Sequence, residues 1–564
     1  MSTCKFTFDP SVNKDEKTEY YINDPWSCSH PKYGSSSYCI FHMPTSDRKQ
    51  NSITEEDINE KMVSIINSNN KDSKFIGAHF ETVDLSNINI DHVHGDVIDF
   101  RHAKVKEFNF SGSTFDMPIT LSGCSLDHIR AKDTVFNQRL IINGIDEGEK
   151  FVFDRTTFKN NVQFENSSIN GEFSSIGAFF EQKADFNRVS FLCPIYFNRS
   201  TFDDEVVFSE CIFNPENKLR ENESSQMQIS FHSAIFKDYV RFIDGELRDR
   251  MDLRGSEIDR LSFMNTKFFE VFVGAAKIKS ISWHGIPINK SGYISLSNSE
   301  IDDGFLSQPT EISDGEIIPL ESSNYYRLAE ATIGDISIST TTNDFSCFFF
   351  FNTKFDGFDF ADYYEELAPN WSLEEYSGPH IQLVTGDRKS ETRRSQNPTK
   401  TYSKARNGAQ KVADRKSESM FLRKEMRSKR GRYSSVANRG EISEQIKIHY
   451  RYIVNLLYDL TCGYGENAKK AVSTSILTIV IFSLVYPSVG GVIDPSGKVI
   501  SGYDNIVSEY GIYLYFSMVT FSTIGPSGYQ PNGYLSQMLT GIESLTGVAL
   551  SALLIFVLGR KVSK

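Results

Sequence analysis

Two Cys and His pairs lie close together near the start of the chain, Cys28-x-His30 and Cys39-x-x-His42, within WSCSHPKYGSSSYCIFH. Thiolate and imidazole both suit a tetrahedral zinc. With four ligand positions filled, such an ion would be structural, stapling a loop that has little core of its own. The Cys-x-His spacing is tighter than that of a zinc finger, and a plain buried Cys and His pair is the competing reading. Near the other end, Glu543 lies inside an apolar run, and Thr520 to Pro531 reads TFSTIGPSGYQP. An ionisable group within such a run is a candidate functional residue, either facing an interface or buried as a partner. There is no phosphate-cradling glycine loop, no triad signal and no carboxylate pair in a recognisable setting, so the chain reads as a non-enzyme.

The elements that must position these residues fall into unlike regions. The 564-residue chain has a net charge of −13, yet Arg388 to Arg439 holds seventeen Lys or Arg against four Asp or Glu. The two regions must meet different surroundings. The eight cysteines form no closely spaced framework and follow no secretory signal, which implies a cytosolic, reduced N-terminal region.

Most of the 44 phenylalanines precede residue 361. Apolar residues recur in steps of five at Phe75, Phe80, Leu85 and Ile90, then at Phe100, Val105, Phe110 and Phe115; small residues (Ser73, Ala78, Ala103, Ser113) sit two places before several of them. Neither a helix nor a strand has a period of five, so each step implies one inward residue per side of a coil. From Phe186 the step alternates between five and six, through Phe191, Phe197, Phe202, Phe208 and Phe213. Four such sides make a turn of about 20 to 22 residues. The pattern resembles pentapeptide-repeat proteins, and the resemblance implies a right-handed quadrilateral β-helix over 71–362, with Phe or Leu stacked along its axis. Its open ends need caps, expected from 1–70 and 363–384. An acidic, regular rod suits docking of a cytoplasmic protein partner, DNA mimicry or spacing.

A basic linker is expected over 385–440, first a disordered tether and then a short amphipathic helix over Asp414–Ser428. Nucleic acid, anionic lipid and plain solvation compete to explain its charge, and the membrane segment that follows favours lipid over nucleic acid. After a pre-membrane helix over 441–470, the run from Ala471 qualifies as a span when extended to Ile493, and 535–558 is a second. Lys469 and Lys470 precede the first span, and Arg560, Lys561 and Lys564 follow the second, which predicts a multi-pass protein of the cell membrane with both termini cytoplasmic. Between them, Tyr510 to Phe521 is too short to cross and fits a re-entrant helix.

The order span, short helix, T-x-G turn, span resembles two-transmembrane potassium channels. LYFSMVTFSTIG, Leu514 to Gly525, is similar to their L-Y-F-S-x-V-T-x-T-T-V-G run, and Pro531 falls six residues after Gly525 as in that family. LLYDLTCGYGENAKKA resembles the lead-in to the first span of pentapeptide-repeat ion-channel proteins, which fuse these same two parts. The resemblance implies an α-helical two-transmembrane pore domain over 471–564 and a homotetramer in the lipid bilayer, conducting potassium or another monovalent cation. On that reading Thr523, Ile524, Gly525, Pro526, Ser527 and Gly528 form the filter within 522–531, and Tyr515, Phe516, Thr520 and Ser522 belong to the pore helix. Glu543 and Gly547 then sit on the inner helix, Gly547 as a hinge or as a close-packing glycine.

Three residues depart from the family pattern. Pro526 and Ser527 replace an aromatic and a glycine, and Gly528 replaces an aspartate. This implies relaxed selectivity, or a shift in which Gly528 takes over a glycine role. The rival function is a membrane-anchored pentapeptide-repeat scaffold that binds a partner, or mimics DNA, without conduction.

Overall fold

The computed structural model describes residues 3–9, 25–68, 73–91, 97–213, 229–288, 292–307, 310–313, 316–319, 325–339, 345, 347–368, 370–373, 398–436, 442–502, 506–525 and 528–562. The chain divides into two compact units, Met1–Asp359 with Tyr363–Glu391, and Phe360–Asp362 with Thr392–Lys564.

The first unit is a parallel β-solenoid. Among the described residues, thirty-one short strands from His79–Asp84 to Lys354–Phe355 join in one sheet. Where the repeat is most regular, four strands make a coil: Phe179–Phe180, Ala184–Asn187, Ser190–Phe191 and Ile195–Tyr196 pair in parallel with Thr201–Phe202, Val206–Ser209, Ile212–Phe213 and Ile229–Ser230. The inward residue of each side stacks on its counterpart one coil on. Phe136, Phe158, Phe180 and Phe202 form one such ladder, with ring centroids 5.4, 4.8 and 4.6 Å apart. These are close to the strand spacing of about 4.8 Å, so backbone pairing and ring stacking share one repeat and reinforce each other.

Both ends of the solenoid are covered. Helix α1 (Thr45–Gln50) leads to α2 (Glu55–Asn67), which begins in a capping box between Thr54 and Asp57. α2 buries Ile58, Met62 and Ile66. Its Asn59 amide donates to the Thr82 carbonyl at 3.1 Å and accepts the Asp84 N–H at 3.1 Å, occupying backbone groups of the strand that starts the stack. At the other end, Tyr363 stacks on Phe358 and its hydroxyl accepts the Ile338 N–H at 2.7 Å.

The second unit is helical: α3 (Pro398–Lys411), α4 (Arg415–Val436), α5 (Ile442–Cys462), α6 (Ala468–Val485), α7 (Ile506–Phe521) and α8 (Gly533–Val562). Over its described residues, 398–436, the linker departs from the expected tether; 385–397 and 437–440 lie outside the described residues. Residues 398–411 are helical because Tyr402, Ala405 and Ala409 bury one face, and α4 extends beyond Ser428 to Val436. The turn between α3 and α4 is fixed by Asp414, which accepts the Ser417 N–H at 3.1 Å as a helix cap.

Two stretches are long and apolar enough to cross a membrane, Ala468–Ser488 and Gly533–Arg560. The first ends sooner than expected. Pro487 and the left-handed Gly490 (φ 127°) and Gly491 (φ 78°) cannot continue a helix, so Val492–Ile493 instead pairs with Val499–Ile500 and Gln530–Pro531 in a small antiparallel sheet. The short helix also starts earlier, at Ile506 rather than Tyr510.

Candidate functional site

α7 buries Tyr513, Phe516, Ser517, Thr520 and Phe521. The Phe516 ring meets Tyr486 edge-on at 4.9 Å, and the Tyr513 hydroxyl donates to the Ile500 carbonyl at 3.0 Å. Tyr515 is exposed on the other side, against Tyr529, and the exposed Ser522 hydroxyl donates to the Val519 carbonyl at 3.0 Å.

α8 buries one stripe, Ser536, Glu543, Gly547, Leu550 and Val557 at helical spacing: Glu543 and Gly547 meet α7, Ser536 donates to the Gly491 carbonyl at 3.0 Å, and Val557 packs on Cys462 and Ala471. Glu543 is fully buried and accepts the Tyr486 hydroxyl proton at 2.6 Å. Its second oxygen shares a short hydrogen bond with Ser517, whose hydroxyl also reaches the Ile479 carbonyl at 2.9 Å. Three helices thus meet on one carboxyl group. A Cβ added to Gly547 would lie 2.1 Å from the Phe521 carbonyl oxygen, so glycine is what lets α8 touch the C-terminal end of α7.

Past Phe521 the backbone turns sharply. Thr523 (φ 58°) and Gly525 (φ 86°) are left-handed, with Ile524 between them 82% exposed. For a β-branched threonine that conformation costs about 1–2 kcal/mol, the kind of strain kept where position matters more than stability. Gly528 is left-handed too, and a Cβ there would lie 2.9 Å from Pro495 Cγ. Pro526 and Ser527 lie outside the described residues.

A span, a 16-residue helix whose end packs on a glycine, a left-handed turn and a second span have now been placed in order. Residues 475–564 match the family model described as Ion channel. No curated protein and no solved structure matches the chain. The chain thus joins a parallel β-solenoid to a two-span ion-channel region.

The ion-channel region is braced at one end by ion pairs whose carboxylates, Asp459 and Glu466, sequence reasoning did not single out. Asp459 of α5 accepts Arg427 and Arg430 of α4, each at 3.0 Å, and lies 3.7 Å from Lys470 of α6. Burial alone would raise the Asp459 carboxyl, but hydrogen bonding and charge from Arg427, then Arg430 and Lys470, hold it below the usual range. Glu466, in the turn before α6, pairs with Arg560 of α8 at 2.7 Å and accepts the Ser419 hydroxyl of α4 at 2.7 Å. Part of the linker's positive charge therefore turns inward. Ser517 and Tyr486 were missed as partners of Glu543, although Ser517 stands inside the channel-like run.

In the solenoid unit, the residues that come together are Cys4, Cys28, Cys39 and His42, whose ligand atoms all lie within 4.8 Å of one another. His30 is replaced by Cys4, because its Nε2 is engaged with the Lys74 carbonyl at 2.9 Å. The Cys28–Cys39 hydrogen bond, followed by the neighbouring His42, pulls the Cys39 thiol well below its usual range, and that same bond together with burial pushes Cys28 up. Cys4 carried no sequence signal, since most of the loop separates it from Cys28.

Proposed function

We propose that four copies of this chain form a cation channel in the cell membrane, potassium-channel-like with relaxed selectivity. The observation that carries this reading is the contact of Gly547 with the end of α7, after which the chain enters a left-handed turn that is exposed at Ile524. A helix of that length carries partial negative charge at its C-terminus, which favours cations. Carbonyls of Thr523, Ile524 and Gly525 from each copy would replace the hydration shell of the permeant ion. Gly528, and Pro526 and Ser527 before it, would set the outer half of the filter. Both termini are cytoplasmic on the charge distribution around the spans.

The solenoid and linker are read as the regulatory part. α5 carries an exposed apolar stripe of Ile446, Tyr450, Ile453, Leu457 and Leu460 leading into the first span, suited to the headgroup layer, with the remaining basic side chains of α3 and α4 drawn to anionic lipid. The ties from Ser419 and Glu466 to Arg560 give a physical route from linker to inner helix.

Purified protein in planar bilayers tests the proposal. Cation currents carried by intact tetramers are expected. Intact tetramers that carry no current would overturn it and leave the membrane-anchored, partner-binding scaffold.

A further inference from the structure

Cys4, Cys28, Cys39 and His42 are all buried. In a tetrahedral site with zinc–sulfur bonds of roughly 2.3 Å, neighbouring sulfurs lie about 3.8 Å apart. Cys28 Sγ and Cys39 Sγ are 3.8 Å apart, Cys4 Sγ and His42 Nδ1 3.9 Å, and Cys39 Sγ and His42 Nδ1 3.1 Å, so these three pairs are already near the spacing of a ligand shell, and all four atoms lie within 4.8 Å of one another.

The surroundings orient them. His42 Nε2 lies 2.8 Å from the Ile76 carbonyl, which can only accept, so Nε2 is held as the donor and Nδ1 is left as the nitrogen that faces the sulfurs. The Cys39 N–H donates to Cys4 Sγ at 3.1 Å, a bond that a thiolate accepts better than a thiol. His30, by contrast, stacks on Phe75, which stacks on Phe100. It continues the ring ladder as a final rung.

We propose that Cys4, Cys28, Cys39 and His42 hold one zinc ion that fixes the N-terminal cap onto the first coil of the solenoid. The ligands come from three separate stretches of the cap, before Thr7–Phe8, after Trp26–Ser27 and ahead of α1. The imidazole among them reaches the solenoid through Ile76, so a single ion gathers the cap and sets the group that ties it down. Three thiolates and one imidazole suit zinc over magnesium or calcium, and with four protein ligands the site is closed and structural.

Metal analysis of the full-length protein, purified reduced in detergent, tests this. About one zinc per chain is expected, lost in Cys4→Ser and His42→Ala and retained in His30→Asn. Should the Cys4 or His42 variants fail to fold, chelation of the wild type followed by cobalt(II) gives a second reading: the visible spectrum of tetrahedral thiolate-bound cobalt is expected, together with renewed resistance of the N-terminus to protease. Absence of stoichiometric metal, a Cys28–Cys39 disulfide, full zinc in Cys4→Ser, or loss of zinc in His30→Asn would each overturn the proposal.

Discussion

Glu466 takes Arg560 on one carboxylate oxygen and the Ser419 hydroxyl on the other, each at 2.7 Å, so one side chain links the far end of α8 to α4. Its carboxylate is almost fully enclosed, 6% exposed, so the tie to Arg560 is little screened by water and losing the charge weakens it directly. Glu466→Gln is expected to shift the open–closed balance of the channel by about 1 kcal/mol, roughly fivefold in open probability. Single-channel recording reads this directly, and a Glu466→Arg, Arg560→Glu exchange should recover part of the effect. Unchanged gating in both single variants would remove the route from linker to inner helix.

Gly547 and Gly541 make a matched pair. A Cβ at Gly547 would meet the Phe521 carbonyl oxygen at 2.1 Å, whereas one at Gly541 has nothing within 4 Å. Gly547→Ala must therefore push α8 off the end of α7, an overpacking cost of about 1–3 kcal/mol. It should lower both the thermal midpoint in detergent and the current. Gly541→Ala should leave both near wild type. Equal effects would show that helix flexibility, which both changes reduce alike, matters more than contact.

The Glu543 carboxyl serves two hydroxyls, and one of them, Ser517, has a single proton for both Glu543 and the Ile479 carbonyl. A glutamine offers an oxygen to Tyr486 and an N–H to Ser517, so Glu543→Gln should keep the α6, α7 and α8 junction and near-normal current. Glu543→Ala takes one acceptor from each hydroxyl, leaving Ser517 the Ile479 carbonyl and Tyr486 the longer contact to Thr540 at 3.3 Å, and should cost about 1–3 kcal/mol in all and lower the current. Measuring Glu543→Ala, Ser517→Ala and the double variant should show strong non-additivity in thermal midpoint.

What could be read in the chain beforehand was whatever is encoded locally. A five-residue step, a 20-residue apolar run or a threonine–glycine turn repeats or ends within a short window, and each maps onto one element. The solenoid ladder through Phe158, Phe180 and Phe202 is legible for that reason. Cys4 was not, because its partnership with Cys39 depends on where the cap folds back, and His30 looked equally suitable by spacing alone. Residues 398–411 looked disordered by charge, yet the apolar face through Tyr402, Ala405 and Ala409 packs in a helical hairpin. The linker's charge reads as a whole, and nothing in it marks out Arg427 and Arg430, whose partner Asp459 lies on another helix.

Asp459 gives the channel unit a definite response to acid. Its folded carboxyl is held below the ordinary value by Arg427, Arg430 and Lys470 after these overcome the opposing effect of burial. A carboxyl of this kind stabilises the fold in full above its unfolded pKa of about 3.9, and that contribution fades as pH falls through the lower folded value. The thermal midpoint of the detergent-solubilised protein should therefore hold level down to about pH 4 on this account and then drop. Asp459→Asn should start lower and lose less over the same acid range. An identical acid limb in the variant would assign the response to other carboxyls.

We propose that selectivity turns on the residues after Gly525. On the resemblance to potassium channels, Ser527 stands where the family pattern has a glycine and Gly528 where it has an aspartate. A serine in a glycine's place costs about 1–2 kcal/mol wherever a filter needs a left-handed residue, so the outer filter would relax away from the narrow geometry that strips water from potassium. Ser527→Gly is expected to raise the potassium-to-sodium permeability ratio, read from the reversal potential under bi-ionic conditions. If the ratio stays fixed while current persists, Gly528 sets the register instead. Gly528→Ala, which would press a Cβ against Pro495 Cγ at 2.9 Å, should then be the substitution that changes selectivity.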